Sequence, residues 1–164
     1  MKNKEQEFKQ IYEQSKDKIY RLCLGFMGSN TDADDLFQEV LIKIWKNLKT
    51  FRNESNINTW IYRITTNTAL LTLNRKNKLT QNKKEYAPII PRYATENAEQ
   101  NEKEKQVKKL YTAIATLKEI DRIIISLLLE NCSYNEIANI TGLKSSNVGA
   151  RINRIKKTLN KKIK

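Results

Sequence analysis

The sequence contains no histidine and only two cysteines in 164 residues. Without histidine, the side chain used most often for acid–base catalysis is missing, and Cys23 and Cys132 alone cannot complete a zinc site. No Gly-rich phosphate-binding loop is present either. We therefore expect a protein that is not an enzyme and that uses no metal, no cofactor and no small-molecule substrate.

Long apolar runs, glycine and proline are also scarce. The longest apolar run is Ile123–Leu129, far short of the roughly 20 residues that cross a membrane. The polar N-terminal residues are not followed by the apolar core of a signal peptide. These features predict a cytoplasmic protein without membrane insertion. Only four glycines and two prolines, with no long alternating Val/Thr-rich runs, predict an all-α fold.

Positive charge, by contrast, is abundant. The 31 Lys and Arg residues outnumber the 18 Asp and Glu residues, which gives a net charge of +13. Such a surplus predicts a polyanionic partner such as nucleic acid. Two stretches, 61–84 and 141–164, contain basic residues and no acidic residue.

The second of these stretches belongs to a segment, 133–164, with the pattern of a helix-turn-helix. Gly142 can take the positive φ that ends a first helix, and the spacing of Val148, Ile152 and Ile155 predicts a second one. A basic helix that begins with small polar residues fits DNA, because its first side chains reach base edges and its later cations meet phosphates. We therefore predict DNA binding, although a helical hairpin with a solvated basic end is the alternative.

Three amphipathic helices are predicted in the N-terminal half. Thr31 or Asp32 is expected to cap the second of them, whose acidic start suits the positive end of a helix dipole. The third opens near Thr59 and leads into the basic stretch 61–84. Aromatic and amide groups beside cations suit single-stranded nucleic acid. A tryptophan such as Trp60 is nevertheless more often a core or snorkelling residue than a stacking platform, and for Tyr62 the two interpretations are equally weighted.

The composition changes over 79–104, which contains Pro88, Pro91 and a mixed charged run. We predict a flexible linker there, at least as far as about Thr95, and the alternative for its last part is the first turns of the next helix. Two more helices, around Leu110 and Ile124, are expected to support the helix-turn-helix. The predicted fold is therefore all-α, with two small helical domains, 1–78 and 105–164, joined by the linker.

Six short motifs occur in the order seen in one bacterial protein family. They are DADDLFQEV at 32–40, WIYRI at 60–64, TNTA at 66–69, DRII at 121–124, SYNEIA at 133–138 and NVGARINRIKK at 147–157. On these motifs the chain resembles the extracytoplasmic-function (ECF) sigma factors over nearly its whole length. Leu71 and Gly149 depart from the resemblance, since an Asp and a basic residue are common at those positions.

The resemblance implies a protein that binds core RNA polymerase and directs promoter-specific transcription initiation. It implies an N-terminal region 2-like domain that reads the −10 element as a single strand and a C-terminal region 4-like domain that reads the −35 element as duplex. An anti-sigma factor is the implied inhibitor. The implied contacts with core polymerase are Asp35, Gln38 and Glu39. The implied −10 binding and melting residues are Phe51, Asn53, Asn56, Trp60, Tyr62, Arg63, Asn67, Arg75 and Lys76. Those implied for the −35 element are Lys144, Ser145, Ser146, Asn147, Arg151, Arg154 and Lys157, with Arg154 mainly a phosphate contact.

Two other classes of protein share some of these features. A dimeric helix-turn-helix regulator would bind a near-palindromic site without being a polymerase subunit. An adaptor that binds polymerase or a sigma factor would never contact DNA, and the two acid-free basic stretches count against it. If the linker lets the two DNA-binding faces move, an inhibitor could act by holding them together.

Overall fold

The structure is a computed structural model that describes residues 3–51, 56–79 and 98–163. Those residues form seven α-helices and one short 3-10 helix, Leu48–Thr50, and contain no strand. The helices are α1 (Lys4–Met27), α2 (Asn30–Asn47), α3 (Ile57–Leu79), α4 (Ala98–Ala115), α5 (Glu119–Leu129), α6 (Tyr134–Thr141) and α7 (Ser145–Ile163). The prediction of an all-α fold is confirmed. No helix in the described residues is both long and apolar enough to cross a membrane.

Local capping chemistry sets the ends of the first two helices. The side chain of Asn3 accepts a hydrogen bond from the N–H of Gln6 at 2.8 Å, and α1 ends at Gly28 with φ +77°. The α2 helix starts at Asn30, at least two residues earlier than expected. Its cap is Ser29, which accepts from the N–H of Asp32 at 3.2 Å, so the prediction of Thr31 or Asp32 as the cap was wrong.

Helices α1, α2 and α3 pack together as an N-terminal unit. Its core consists of apolar side chains that recur at helical spacing and are almost fully buried: Ile19, Leu22, Phe26, Leu36, Val40, Ile44 and Ile61. The core holds the exposed faces of α2 and α3 in a fixed orientation.

Helices α4 to α7 form the C-terminal unit. The last two are the predicted helix-turn-helix: α6 begins with a capping box between Ser133 and Glu136 and ends at Gly142, whose φ is +80°. Val148, Ile152 and Ile155 bury one face of α7. The α4 helix starts at Ala98, so its first turns lie inside the segment predicted to be a linker, most of which falls outside the described residues.

The two units contact each other directly along what we call the seam, where α1 packs on α4 and α5 and α3 packs on α6. Buried side chains of both units form one continuous apolar core. Arg122 of α5 crosses the seam and donates to the carbonyl oxygens of Phe26 at 3.0 Å and Leu117 at 2.8 Å. The Phe26 carbonyl belongs to the last turn of α1, where a helix leaves acceptors without partners, and Leu117 lies in the turn between α4 and α5.

Candidate nucleic-acid interface

The start of α7 presents four of the predicted −35 residues to solvent. Lys144, Ser145, Ser146 and Asn147 are all exposed, and the helix begins where the N–H of Val148 donates to the carbonyl of Lys144 at 3.0 Å. The buried face of α7 fixes this orientation, because Val148 and its apolar neighbours point inward. Small polar side chains therefore stand at the N-terminal end of a basic helix, as base reading in a major groove requires.

Two predicted −35 arginines of α7 are held in different ways. Arg154 is exposed, as is Lys157. Arg151 is partly buried, donates from Nη1 to Asp121 Oδ1 at 3.1 Å and from Nε to Asn147 Oδ1 at 3.2 Å. Asn147, Arg151 and Arg154 recur at helical spacing and share one face. Arg151 thus ties α7 to α5 and orients Asn147.

The start of α3 gathers several of the predicted −10 residues. Asn56 caps the helix, since its side chain accepts from the N–H of Asn58 at 3.0 Å and its carbonyl accepts from the N–H of Trp60 at 3.1 Å. The rings of Phe51 and Trp60 lie 5.0 Å apart between centroids, and both are partly exposed. Asn53 lies outside the described residues.

Further along α3, some of the predicted −10 residues are exposed and one forms an ion pair within the protein. Asn67 and Arg75 are exposed and Arg63 is partly exposed. Lys76 forms an ion pair with Asp32 at the start of α2. Leu71, the apolar departure from the resemblance, is half exposed on the same helix. The exposed face of α3 therefore combines cations, an amide and one large apolar side chain.

Tyr62 is buried, unlike the other predicted −10 residues that the structure describes. Its side chain is only 5% exposed, and it sits on α3 where that helix packs on α6. Burial raises the pKa of Tyr62 to about 12, with Cys132 and Glu130 of the C-terminal unit adding to the rise. Tyr62 is therefore covered by the seam and does not lie on the exposed face of α3.

The predicted polymerase-binding residues form a stripe on α2. Asp35 and Gln38 are exposed and Glu39 is partly exposed. Ile42, at the next position of the stripe, is 52% exposed and adds an apolar side chain to it. The sequence analysis missed Ile42, although its position outside the buried period of α2 was a usable signal.

A groove of about 440 Å³ runs beside this stripe, between α1 and α2. Its walls include the rings of Tyr20 and Phe37, 5.6 Å apart in an edge-to-face contact, and its rim includes Gln38. In the described residues, no group of three His, Cys, Asp or Glu side chains is placed to hold a metal.

Two family models match this chain. Residues 11–79 match the family model of sigma-70 region 2, and residues 108–159 match that of sigma-70 region 4. The chain belongs to the ECF sigma factors. The ECF RNA polymerase sigma factor SigW of Bacillus subtilis is 29% identical to this sigma factor, over 96% of this chain and 89% of the relative. The ECF RNA polymerase sigma-E factor of Escherichia coli is 29% identical, over 89% and 81% of the two chains.

Solved structures show the same fold. The sigma factor RpoE of Bartonella quintana, solved in complex with the anti-sigma factor NepR, aligns with a TM-score of 0.77 at 20% identity and covers 96% of both chains. CnrH, solved in complex with the cytosolic domain of CnrY, aligns with a TM-score of 0.63 at 21% identity, over 93% of this chain and 84% of that one. The arrangement of helices is therefore that of a sigma factor.

Proposed function

We propose that this sigma factor binds core RNA polymerase in the cytoplasm and directs it to promoters without catalysing a reaction itself. Residues 1–78 act as the region 2 domain and residues 105–164 as the region 4 domain, with 79–104 between them. The observation that carries the proposal is the exposed start of α7, where small polar side chains precede a stretch that contains basic residues and no acidic residue.

The −35 element is read as duplex by α7. Ser145, Ser146 and Asn147 approach base edges, and Arg154 and Lys157 neutralise phosphates. Arg151 acts through its contacts with Asp121 and Asn147 as well as through its charge. Because phosphate contacts release counterions, binding weakens steeply as salt concentration rises.

The −10 element is read as a single strand by α3 and the residues before it. Phe51 and Trp60 offer ring faces on which an unpaired base stacks, and Arg63, Asn67 and Arg75 contact the strand. Flipping a base costs a few kcal/mol, and stacking with charge neutralisation offsets that cost.

The stripe of Asp35, Gln38, Glu39 and Ile42 on α2 docks on core polymerase. An exposed apolar side chain beside acidic and amide groups is typical of an interface with an apolar centre and a polar rim. An anti-sigma factor is the expected inhibitor, because the sigma factor RpoE of similar fold was solved in complex with the anti-sigma factor NepR.

Run-off transcription tests the proposal. Purified bacterial core polymerase is supplied with genomic fragments, with and without this chain, and start sites that need the chain confirm a sigma factor. Protection of a palindromic duplex by a dimer of the chain alone, with no new start sites, would instead favour a helix-turn-helix regulator.

Two substitutions on α7 separate base reading from phosphate binding. Ser146→Ala should cost about 1–3 kcal/mol at the preferred −35 sequence and relax specificity there, whereas Arg154→Ala should weaken all sequences alike. Lys9→Ala removes the same charge from the exposed surface of α1 and serves as the control. A changed −35 preference in Arg154→Ala would contradict its assignment as a phosphate contact.

A further inference from the structure

One side of α3 carries a row of accessible side chains of three different kinds. The row recurs at intervals of three, four or seven residues, which places its members on one face of the helix: Trp60, Asn67, Leu71, Arg75 and Lys78. Trp60 is partly exposed and the other four are exposed. Leu71 is 50% exposed and stands in the middle of the row, about 6 Å along the helix axis from Asn67 and from Arg75.

The opposite side of α3 is the buried one. Tyr62 lies nine residues before Leu71 and Leu73 lies two residues after it, so both point away from Leu71 at 100° per residue. They are 5% and 6% exposed. The packing of α3 on the rest of the described chain therefore fixes the helix with Leu71 facing outward.

A strand that follows this face has to cross Leu71. A base stacked on Trp60 and a phosphate held by Arg75 are separated by fifteen residues of helix, which is about 22 Å. At about 3.4 Å per nucleotide this length corresponds to about six nucleotides. The stretch 61–84 contains no acidic residue that would repel the strand. Leu71 is thus placed against a nucleotide between the ring and the cations.

A leucine side chain distinguishes one base from the others. The edges of adenine, guanine and cytosine present donors and acceptors, whereas thymine adds an apolar group, its C5-methyl. A polar edge pressed against leucine loses water and gains no hydrogen bond, but a methyl group in the same place buries apolar area on both sides. The Asp that the resemblance leads one to expect at this position would instead accept a hydrogen bond from cytosine N4.

We propose that Leu71 is a specificity-determining residue that selects thymine at one position of the −10 strand through contact with its C5-methyl group. This inference rests on the proposed function for the role of α3. It adds a base preference that belongs to this chain, because it follows from the leucine.

Replacement of thymine by deoxyuridine tests the contact, since it removes the methyl group and leaves the hydrogen-bonding edge unchanged. Run-off transcription first maps a promoter. Fluorescein-labelled single strands of its −10 element, taken from each DNA strand, are then made with one thymine at a time replaced by deoxyuridine. Binding to core polymerase assembled with this chain is measured by fluorescence anisotropy. At one position the replacement should weaken binding about fourfold, as expected for one buried methyl group.

Substitutions of Leu71 assign that loss to the side chain. Leu71→Ala should bind the thymine and deoxyuridine strands equally at the methyl-dependent position, whereas Leu71→Met, which keeps an apolar side chain of similar size, should retain the preference. Leu129→Ala is the matched control, because it makes the same change at a leucine of α5 that is 42% exposed. It should leave the fourfold loss intact. The double-mutant cycle between side chain and methyl group isolates their coupling.

Three results would overturn the role of Leu71. They are equal binding of thymine and deoxyuridine at every position, a methyl-dependent position that stays so in Leu71→Ala, and a mapped −10 element without thymine. If Leu71→Ala loses helix content by circular dichroism, Leu71→Gln takes its place and must abolish the methyl dependence. Start sites that persist without the coupling would refute this inference alone. Failure of run-off transcription with the unmodified chain would refute the proposed function and this inference with it.

Discussion

Gly25→Ala and Gly149→Ala make the same chemical change in two helices, and we expect them to shift stability in opposite directions. Alanine in place of a mid-helix glycine normally stabilises by about 0.5–1 kcal/mol. At Gly149 the new Cβ would lie 3.6 Å from the ring of Tyr134, an ordinary contact. Gly149→Ala should therefore gain up to about 1 kcal/mol.

At Gly25 the same methyl group has no room. It would overlap the hydroxyl oxygen of Ser126 and lie 2.9 Å from its Cβ, and Ser126 is itself 3% exposed. Overpacking of a fitted contact costs about 1–3 kcal/mol, which exceeds the gain in helix propensity. We expect Gly25→Ala to lose about 0.5–2 kcal/mol net.

Urea unfolding followed by circular dichroism measures both changes through the transition midpoint and its slope. In a Ser126→Gly background, which removes both clashing atoms, Gly25→Ala should cost much less, because the two positions are coupled. A midpoint that rises in both single variants would refute the reasoning. It would mean that the close approach of α1 and α5 does not persist in solution.

Three further substitutions or conditions test single contacts. Arg122→Met should lose about 2–4 kcal/mol of stability, because the buried carbonyls of Phe26 and Leu117 lose their donor. Arg122→Lys, which cannot reach both carbonyls, should lose an intermediate amount; unfolding free energies from urea within about 0.5 kcal/mol of the unmodified chain would contradict this. Gly142→Ala should cost about 1 kcal/mol of stability from its φ of +80° alone, since no atom lies within 4 Å of an added Cβ. Gly142→Asn should cost less, because asparagine tolerates this left-handed conformation better; equal losses of stability in the two variants would exclude a backbone origin. Burial raises the pKa of Cys132, Tyr62 and Tyr111 to about 12. The unfolded chain releases these protons at lower pH, so the folded chain should lose stability as pH rises from about 9 to about 12; the fall should be smaller in Tyr62→Phe, and an unchanged fall would count against its burial.

Local sequence patterns predicted much of the C-terminal unit correctly. The end of α6 at Gly142 and the inward face of α7 follow from glycine geometry and from apolar spacing, both of which act within a few residues. The exposure of Ser146 and Asn147 follows from the same spacing. Such features need no knowledge of distant parts of the chain.

The sequence was less able to choose between neighbouring residues that could take the same structural role. Ser29, Thr31 and Asp32 all have side chains that can cap a helix, and only the folded backbone selects Ser29. Ile42 belongs to a helix in which most apolar residues are buried, so its exposure depends on where neighbouring helices end. Each choice is decided by geometry that the sequence does not state.

The sequence by itself determined the helices, the helix-turn-helix and the basic surfaces, because these arise from contacts between residues close in the chain. Only the tertiary structure decided the seam. Arg122 reaches a carbonyl 96 residues away, at Phe26, and Tyr62 is buried close to Cys132 and Glu130 of the other unit. Contacts of this kind leave no periodic signal, because each partner looks like an ordinary residue of its own helix until the two units meet.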